Sequence, residues 1–215
     1  MSQVQSIILM IVPLLFSIIL HEVAHGWVAE KLGDPTARQM GRLTLNPIPH
    51  IDPVGSIVVP GILLLAHSPF LFGWARPVPV NFSNLRGGRK GMALVGLAGP
   101  ATNFCLAVLS AIVYHLTLDR GPGTLSSAFI VPIHAMAHYA VLLNLVLMLF
   151  NLLPVPPLDG GRIAVGLLPE NMAILLQRAE RWGMLIVVLL IVSGVWTGVL
   201  GPVIYLFLRI LGVRI

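Results

Sequence analysis

At 215 residues the chain has room for a single membrane domain, 1–215, and 57% of it is hydrophobic against only 10% charged; a soluble domain carries roughly a quarter charged residues. So little polar surface could not cover a globule in water, which excludes a soluble protein and predicts an integral membrane protein. The net charge of +5 sits in clusters between apolar runs, as in loops beside anionic lipid, and no basic stripe interleaved with aromatics points to nucleic acid.

A spanning helix needs ~20 mostly apolar residues. The first such run is Ile7 to Val28. It lacks the positive n-region and the A-x-A site of a signal peptide, so it is expected to be retained. Val54 to Phe72 is long enough to span, but Pro60-Gly61 and His67-Ser68-Pro69 interrupt it. Lys31, Arg38 and Arg42 precede it, and Arg76, Arg86, Arg89 and Lys90 follow it. A single crossing would put one positive cluster outside, whereas a re-entrant hairpin keeps both in the cytoplasm. Met92 to Leu118 and Phe129 to Leu153 are the next spans, and Cys105, the lone cysteine, reads as a small core residue in the first of them. Met184 to Leu200 follows. Gly201-Pro202 is expected to break or kink the helix before Val203 to Leu211, whose path stays open. The fold class is therefore an all-α polytopic membrane protein of four to six transmembrane helices with a re-entrant hairpin. Its catalytic core covers about 6–165 and its C-terminal helices about 182–213.

His21-Glu22-Val23-Ala24-His25 is an H-E-x-x-H string at the inner end of the first span. Residues i and i+4 share a helix face, so both imidazoles can reach one metal, and zinc accepts neutral histidine nitrogen. Titratable groups at such depth cost ~2.5–3.5 kcal/mol each on insertion scales, which marks them as functional. Glu22 can take a proton from zinc-activated water and pass it to a leaving amine.

A third ligand must come from another segment. Asp159 is the best candidate: Pro154, Pro156 and Pro157 force the backbone out of helix just before it. With the hairpin, the first and third long helices run the same way and Asp159 ends beside His21 and His25. With a full crossing it would emerge on the opposite face. Asn151, on the Pro-terminated end of the third helix, is a candidate catalytic residue; its amide could donate to an oxyanion or tie down the loop's own carbonyls. Asn144 shares its helical face and reads as an interhelical hydrogen-bonding group. Asn103 reads as packing and capping chemistry.

These residues resemble the site-2 protease family of intramembrane zinc metalloproteases. The resemblance rests on His21 to Gly26, on Gly99-Pro100-Ala101-Thr102-Asn103-Phe104, and on Asn151 through Asp159-Gly160-Gly161-Arg162. The short form with Asn46 to Pro53 is similar to the compact prokaryotic branch, without PDZ or nucleotide-binding domains. The resemblance implies one Zn2+ per chain held by His21, His25 and Asp159, with Glu22 as base. It also implies cleavage of transmembrane protein substrates near the cytoplasmic face of the prokaryotic inner membrane. A small membrane-dipping β element is implied too, and Gly41 to Leu45 and Pro77 to Asn81 read as its short extended strands. An extended edge could hold a locally unwound substrate.

His134 and His138 form another i, i+4 pair, but they precede Asp159 by roughly 30 Å of helix. An interhelical or interfacial role is expected for them. His50 and Asp52 lie in a Pro-rich loop that could approach the active site, and His67 and His115 have no identifiable partner. The rival to a protease is a polytopic metal-ion or proton transporter using the same intramembrane ligands. A catalytically silent scaffold has no reason to hold an intramembrane Glu22. Oligomeric state is not legible.

Overall fold

The structure, a computed structural model, describes residues 3–67, 73–118 and 127–214. In chain order the helices are α1 (Gln3–Lys31), α2 (Thr36–Gln39), α3 (Val59–Leu65), α4 (Arg89–Leu118), α5 (Ser127–Asn151), α6 (Asp159–Leu167), α7 (Glu170–Ser193) and α8 (Val195–Ile210). Among the described residues, α1, α4 and α5 are long and apolar enough to cross a membrane, and the bent pair α7–α8 counts as a fourth candidate. The protein is thus all-α, at the lower end of the expected number of spans.

Burial is inverted relative to a soluble bundle. Large apolar side chains such as Ile8, Phe16, Leu109 and Leu116 point outward, while Ala107, Ala111, Ala137 and Ala140 are buried between α4 and α5. Small residues let helix backbones approach closely when lipid supplies no hydrophobic drive between helices. α8 closes this core with Leu208. Pro13, Pro100, Pro132 and Pro202 each sit inside a helix, as membrane helices tolerate.

Contacts fix the directions. Ser17 of α1 meets Asn144 of α5, and His21 meets Asp159 just beyond α5, so α1 and α5 run the same way. Val95 of α4 meets His25 and Asn103 meets His21, so α4 runs opposite to α1. The Arg86 N–H donates to the Leu32 carbonyl (2.8 Å), which returns the chain to the end of α1 that it left.

Within that excursion, the Asp52 carboxylate caps a wide helical turn, Pro53–Val58, by accepting from the N–H groups of Val54 (3.0 Å) and Gly55 (2.6 Å). The turn leads into α3. The chain comes back beside its start: Trp74 N–H donates to Gly55 O (3.1 Å) and Arg76 N–H to His50 O (2.9 Å). The far end of the expected hairpin, 68–72, lies outside the described residues.

Two expectations differ from what is seen. Among the described residues no strand ladder forms at Gly41 to Leu45 or Pro77 to Asn81. Pro77 and Pro79 have no N–H to give, the Val78 N–H goes to Glu22, and the carbonyls of Arg76 and Pro77 accept from Arg42. Side chains have taken the groups a ladder would use. The C-terminal break falls at Gly194, not at Gly201-Pro202. Gly194 has φ +69°, a left-handed conformation that glycine adopts without strain, and Pro202 is accommodated inside α8.

Candidate metal centre

α1 places His21 and His25 one turn apart, with ring centroids 4.7 Å apart and planes at 83°. α6 begins at Asp159, and its first glycine permits the approach: a Cβ on Gly160 would lie 2.3 Å from the carbonyl oxygens of Leu152 and Leu153. All three side chains are buried. Nε2 of His21 and Nε2 of His25 are 3.1 Å apart, and Oδ2 of Asp159 lies 3.1 and 3.2 Å from them. Four-coordinate tetrahedral zinc with bonds of about 2.0–2.1 Å would hold its ligand atoms roughly 3.3–3.4 Å apart. The triangle seen is a few tenths of an ångström tighter, and the donor set is of the right kind.

The electrostatics point the same way. His25 Nδ1 donates to the Val95 carbonyl (2.7 Å), which can only accept, so the neutral ring turns a lone pair toward Asp159. Asp159 Oδ2 is buried without a hydrogen-bond partner. A buried anion facing imidazole lone pairs is costly unless a cation sits among them. Gly99 keeps that space open, because a Cβ there would lie 2.5–2.6 Å from Nε2 of both histidines.

The surroundings hold the three in place. His21 Nδ1 lies 2.5 Å from Asn103 Oδ1. Arg162 Nη1 is 3.7 Å from the outer oxygen of Asp159, and its guanidinium lies over the Phe82 ring. Glu22, next to His21, accepts from the Val78 N–H through Oε2 (2.8 Å). The stretch carrying Val78 is tied down on both sides. Buried Arg42 donates to Arg76 O (2.7 Å) and Pro77 O (3.3 Å), while buried Asp34 accepts from Asn81 N–H (2.7 Å) and Asn84 Nδ2 (3.1 Å).

Comparison with known proteins places the chain. Residues 120–194 match the model of Peptidase family M50. A Bacillus subtilis protein that carries the name Putative zinc metalloprotease YwhC is 41% identical over 193 residues, covering 90% of this chain and 84% of that one. The chain belongs to peptidase family M50, the site-2 proteases. The Rip2 proteins of Mycolicibacterium smegmatis (34% identical, 90% of this chain and 70% of that one) and Mycobacterium tuberculosis H37Rv (29%, 96% and 75%) carry the same designation. No solved structure matches it.

In this site-2 protease the other polar residues singled out from sequence separate clearly. Among the described residues, His21, His25 and Asp159 are the set of three that can share a metal. The Asn151 amide donates to Leu147 O on its own helix (2.9 Å). His50 is buried and donates from Nε2 to Thr44 O (3.0 Å), while Asp52 serves as a cap. His134 stacks on Tyr114 at 4.5 Å and lies 2.9 Å from Thr117 Oγ1, joining α5 to α4 with His138 alongside. His115 donates to Leu211 O (2.7 Å). Sequence reasoning missed Asp34, Arg42 and the link from Asn103 to His21. A polar side chain in a spanning helix is costly unless it has a task, which marked Asn103 itself but not its partner.

Proposed function

We propose that this site-2 protease is an intramembrane zinc metalloprotease that hydrolyses a peptide bond in or near the transmembrane segment of a membrane-protein substrate. The observation that carries this reading is the triangle of facing donor atoms from His21, His25 and Asp159 with Glu22 on the next position of the same helix. Zinc held by those three residues supplies Lewis-acid polarisation and a water ionisable near neutral pH. Glu22 is the general base: it takes a proton from the attacking water and returns it to the leaving amine. Its Oε2 is held by Val78 N–H, which leaves Oε1 for that exchange. Asn151 spends one N–H on Leu147; the other is assigned to the substrate carbonyl, where such a donor is worth about 3 kcal/mol.

A helical substrate shields its peptide bonds, so it must unwind to be cut. The segment from Pro53 through α3 enters the membrane and Trp74 lies back beside Gly55, with the basic clusters on either side facing the cytoplasm of a prokaryotic cell. The active site then opens toward that face.

The test uses the full chain in lipid with a panel of single-span membrane proteins, with and without a zinc chelator. Zinc-dependent cleavage that Glu22→Gln abolishes while keeping bound zinc is expected. Ion flux through liposomes that persists in Glu22→Gln, with no cleavage by the parent, would favour a transporter. Bound zinc unchanged in Asp159→Ala would overturn the ligand assignment.

A further inference from the structure

A line of buried polar side chains runs through the bundle and ends on His21, joining Ser17 and His21 of α1, Asn103 of α4 and Asn144 of α5. Its hydrogen bonds can be given a direction, starting from groups that can only accept. The Ser17 hydroxyl donates to the Pro13 carbonyl (2.7 Å). Asn144 Nδ2 lies 2.8 Å from the Ala140 carbonyl and 2.8 Å from Ser17 Oγ, so both its N–H groups are spent there. Oδ1 of Asn144 is thereby turned toward Asn103 and accepts from its Nδ2 (2.8 Å). That leaves Asn103 Oδ1 facing His21 Nδ1 at 2.5 Å. An amide oxygen carries no proton, so His21 Nδ1 must carry it. In the neutral ring that binds a metal, Nε2 is then left bare and aimed at Asp159 and at Nε2 of His25.

We propose that Asn103 and Asn144 are positioning residues that lock His21 in the Nδ1–H tautomer and fix its ring, so that zinc affinity depends on a side chain two hydrogen bonds from the ligand. The inference rests on the zinc reading of the site. Asn144 is anchored at the Ala140 carbonyl, which can only accept, and at the Ser17 hydroxyl, whose proton is spent on the Pro13 carbonyl, which makes the polarity of the chain a property of the bundle. Reversing it would set N–H against N–H at Ala140 or leave a buried amide unpaired.

The test measures the zinc dissociation constant of the lipid-embedded full chain by chelator competition, alongside its thermal midpoint. Outer-shell partners of metal-bound histidine are typically worth about 10- to 100-fold in affinity, and Asn103→Leu is expected to lose that much. Asn144→Leu, which touches no ligand, is expected to lose at least about fivefold, and the double variant no more than Asn103→Leu alone, because the two act in series. Asn103→Asp keeps an acceptor for His21 but loses the N–H that Asn144 receives, so it is expected to lose about as much as Asn144→Leu and clearly less than Asn103→Leu. A lowered thermal midpoint in Asn144→Leu with zinc affinity unchanged would reduce the line to interhelical glue and overturn the proposal. Should Asn144→Leu not fold, the two Asn103 variants decide, and equal affinities overturn it. A parent chain that binds no zinc sinks the metal reading itself, which is a different failure.

Discussion

Gly99→Ala is the sharpest perturbation the site offers, because it adds one methyl group without touching a ligand. The new Cβ would lie 2.5 Å from Nε2 of His25 and 2.6 Å from Nε2 of His21, where ordinary contact begins at 3.4 Å. The histidines would have to retreat by roughly 0.8–0.9 Å, or α4 would have to move away from α1. Metal–ligand distances tolerate about 0.2 Å, so neither histidine could keep its bond while accommodating the methyl. Effective loss of one ligand is expected to weaken zinc by at least about 100-fold, or ~2.8 kcal/mol. Chelator competition reads this directly, and cleavage should fall with zinc occupancy. The thermal midpoint of the metal-stripped variant should fall below that of the metal-stripped parent by no more than overpacking costs, about 1–3 kcal/mol. If Gly99→Ala binds zinc as tightly as the parent, the donor triangle is not where the metal sits.

Three further outcomes follow from the contacts around Glu22. Val78→Pro deletes the N–H that holds Oε2 and is expected to lower cleavage about 10- to 100-fold with zinc retained, while Val78→Ala, which keeps the N–H, stays close to the parent. Asp34→Ala leaves the Asn81 N–H and the Asn84 amide without their acceptor and is expected to cost about 1–3 kcal/mol, read as a lower thermal midpoint. Asp34 also sets a pH dependence. Burial would raise its pKa, but hydrogen bonds from Thr36, Asn81 and Asn84 win and hold it below the ordinary 3.8. A depressed carboxyl stabilises the fold above its unfolded pKa and loses that contribution as pH falls through the folded value. The deficit of Asp34→Asn should therefore be full at pH 7 and shrink below about pH 4; a deficit independent of pH would refute the assignment.

How much of this was legible in the sequence depended on the range of the interaction. His21 and His25 were visible because helical periodicity alone puts i and i+4 on one face. Asp159 stood out because Pro154, Pro156 and Pro157 end a helix that, with a hairpin at 54–72, runs the same way as the first. The basic residues around 54–72 pointed to a re-entrant hairpin; its far end, 68–72, lies outside the described residues, and what is seen is the chain back at the end of α1 in the Arg86–Leu32 hydrogen bond. Pro77 to Asn81 misled because its alternation suits a strand, while its two prolines and the side chains of Glu22, Arg42 and Asp34 remove what a ladder needs. Gly201-Pro202 misled in a similar way, since a proline is a strong local signal, whereas the chain turns at Gly194, whose φ of +69° glycine adopts without strain.

The link from Asn103 to His21 was hidden for a different reason. Its hydrogen bonds join positions 41, 82 and 127 residues apart, and no window of sequence contains them. Read singly, Asn103 and Asn144 are the interhelical polar groups that membrane bundles commonly carry. Only the direction of donation, traced from the Pro13 and Ala140 carbonyls, separates a metal-orienting chain from generic packing. A polar residue in a spanning helix is therefore best judged by where its last proton points. In this site-2 protease it comes from His21, one ring atom away from the lone pair that faces Asp159.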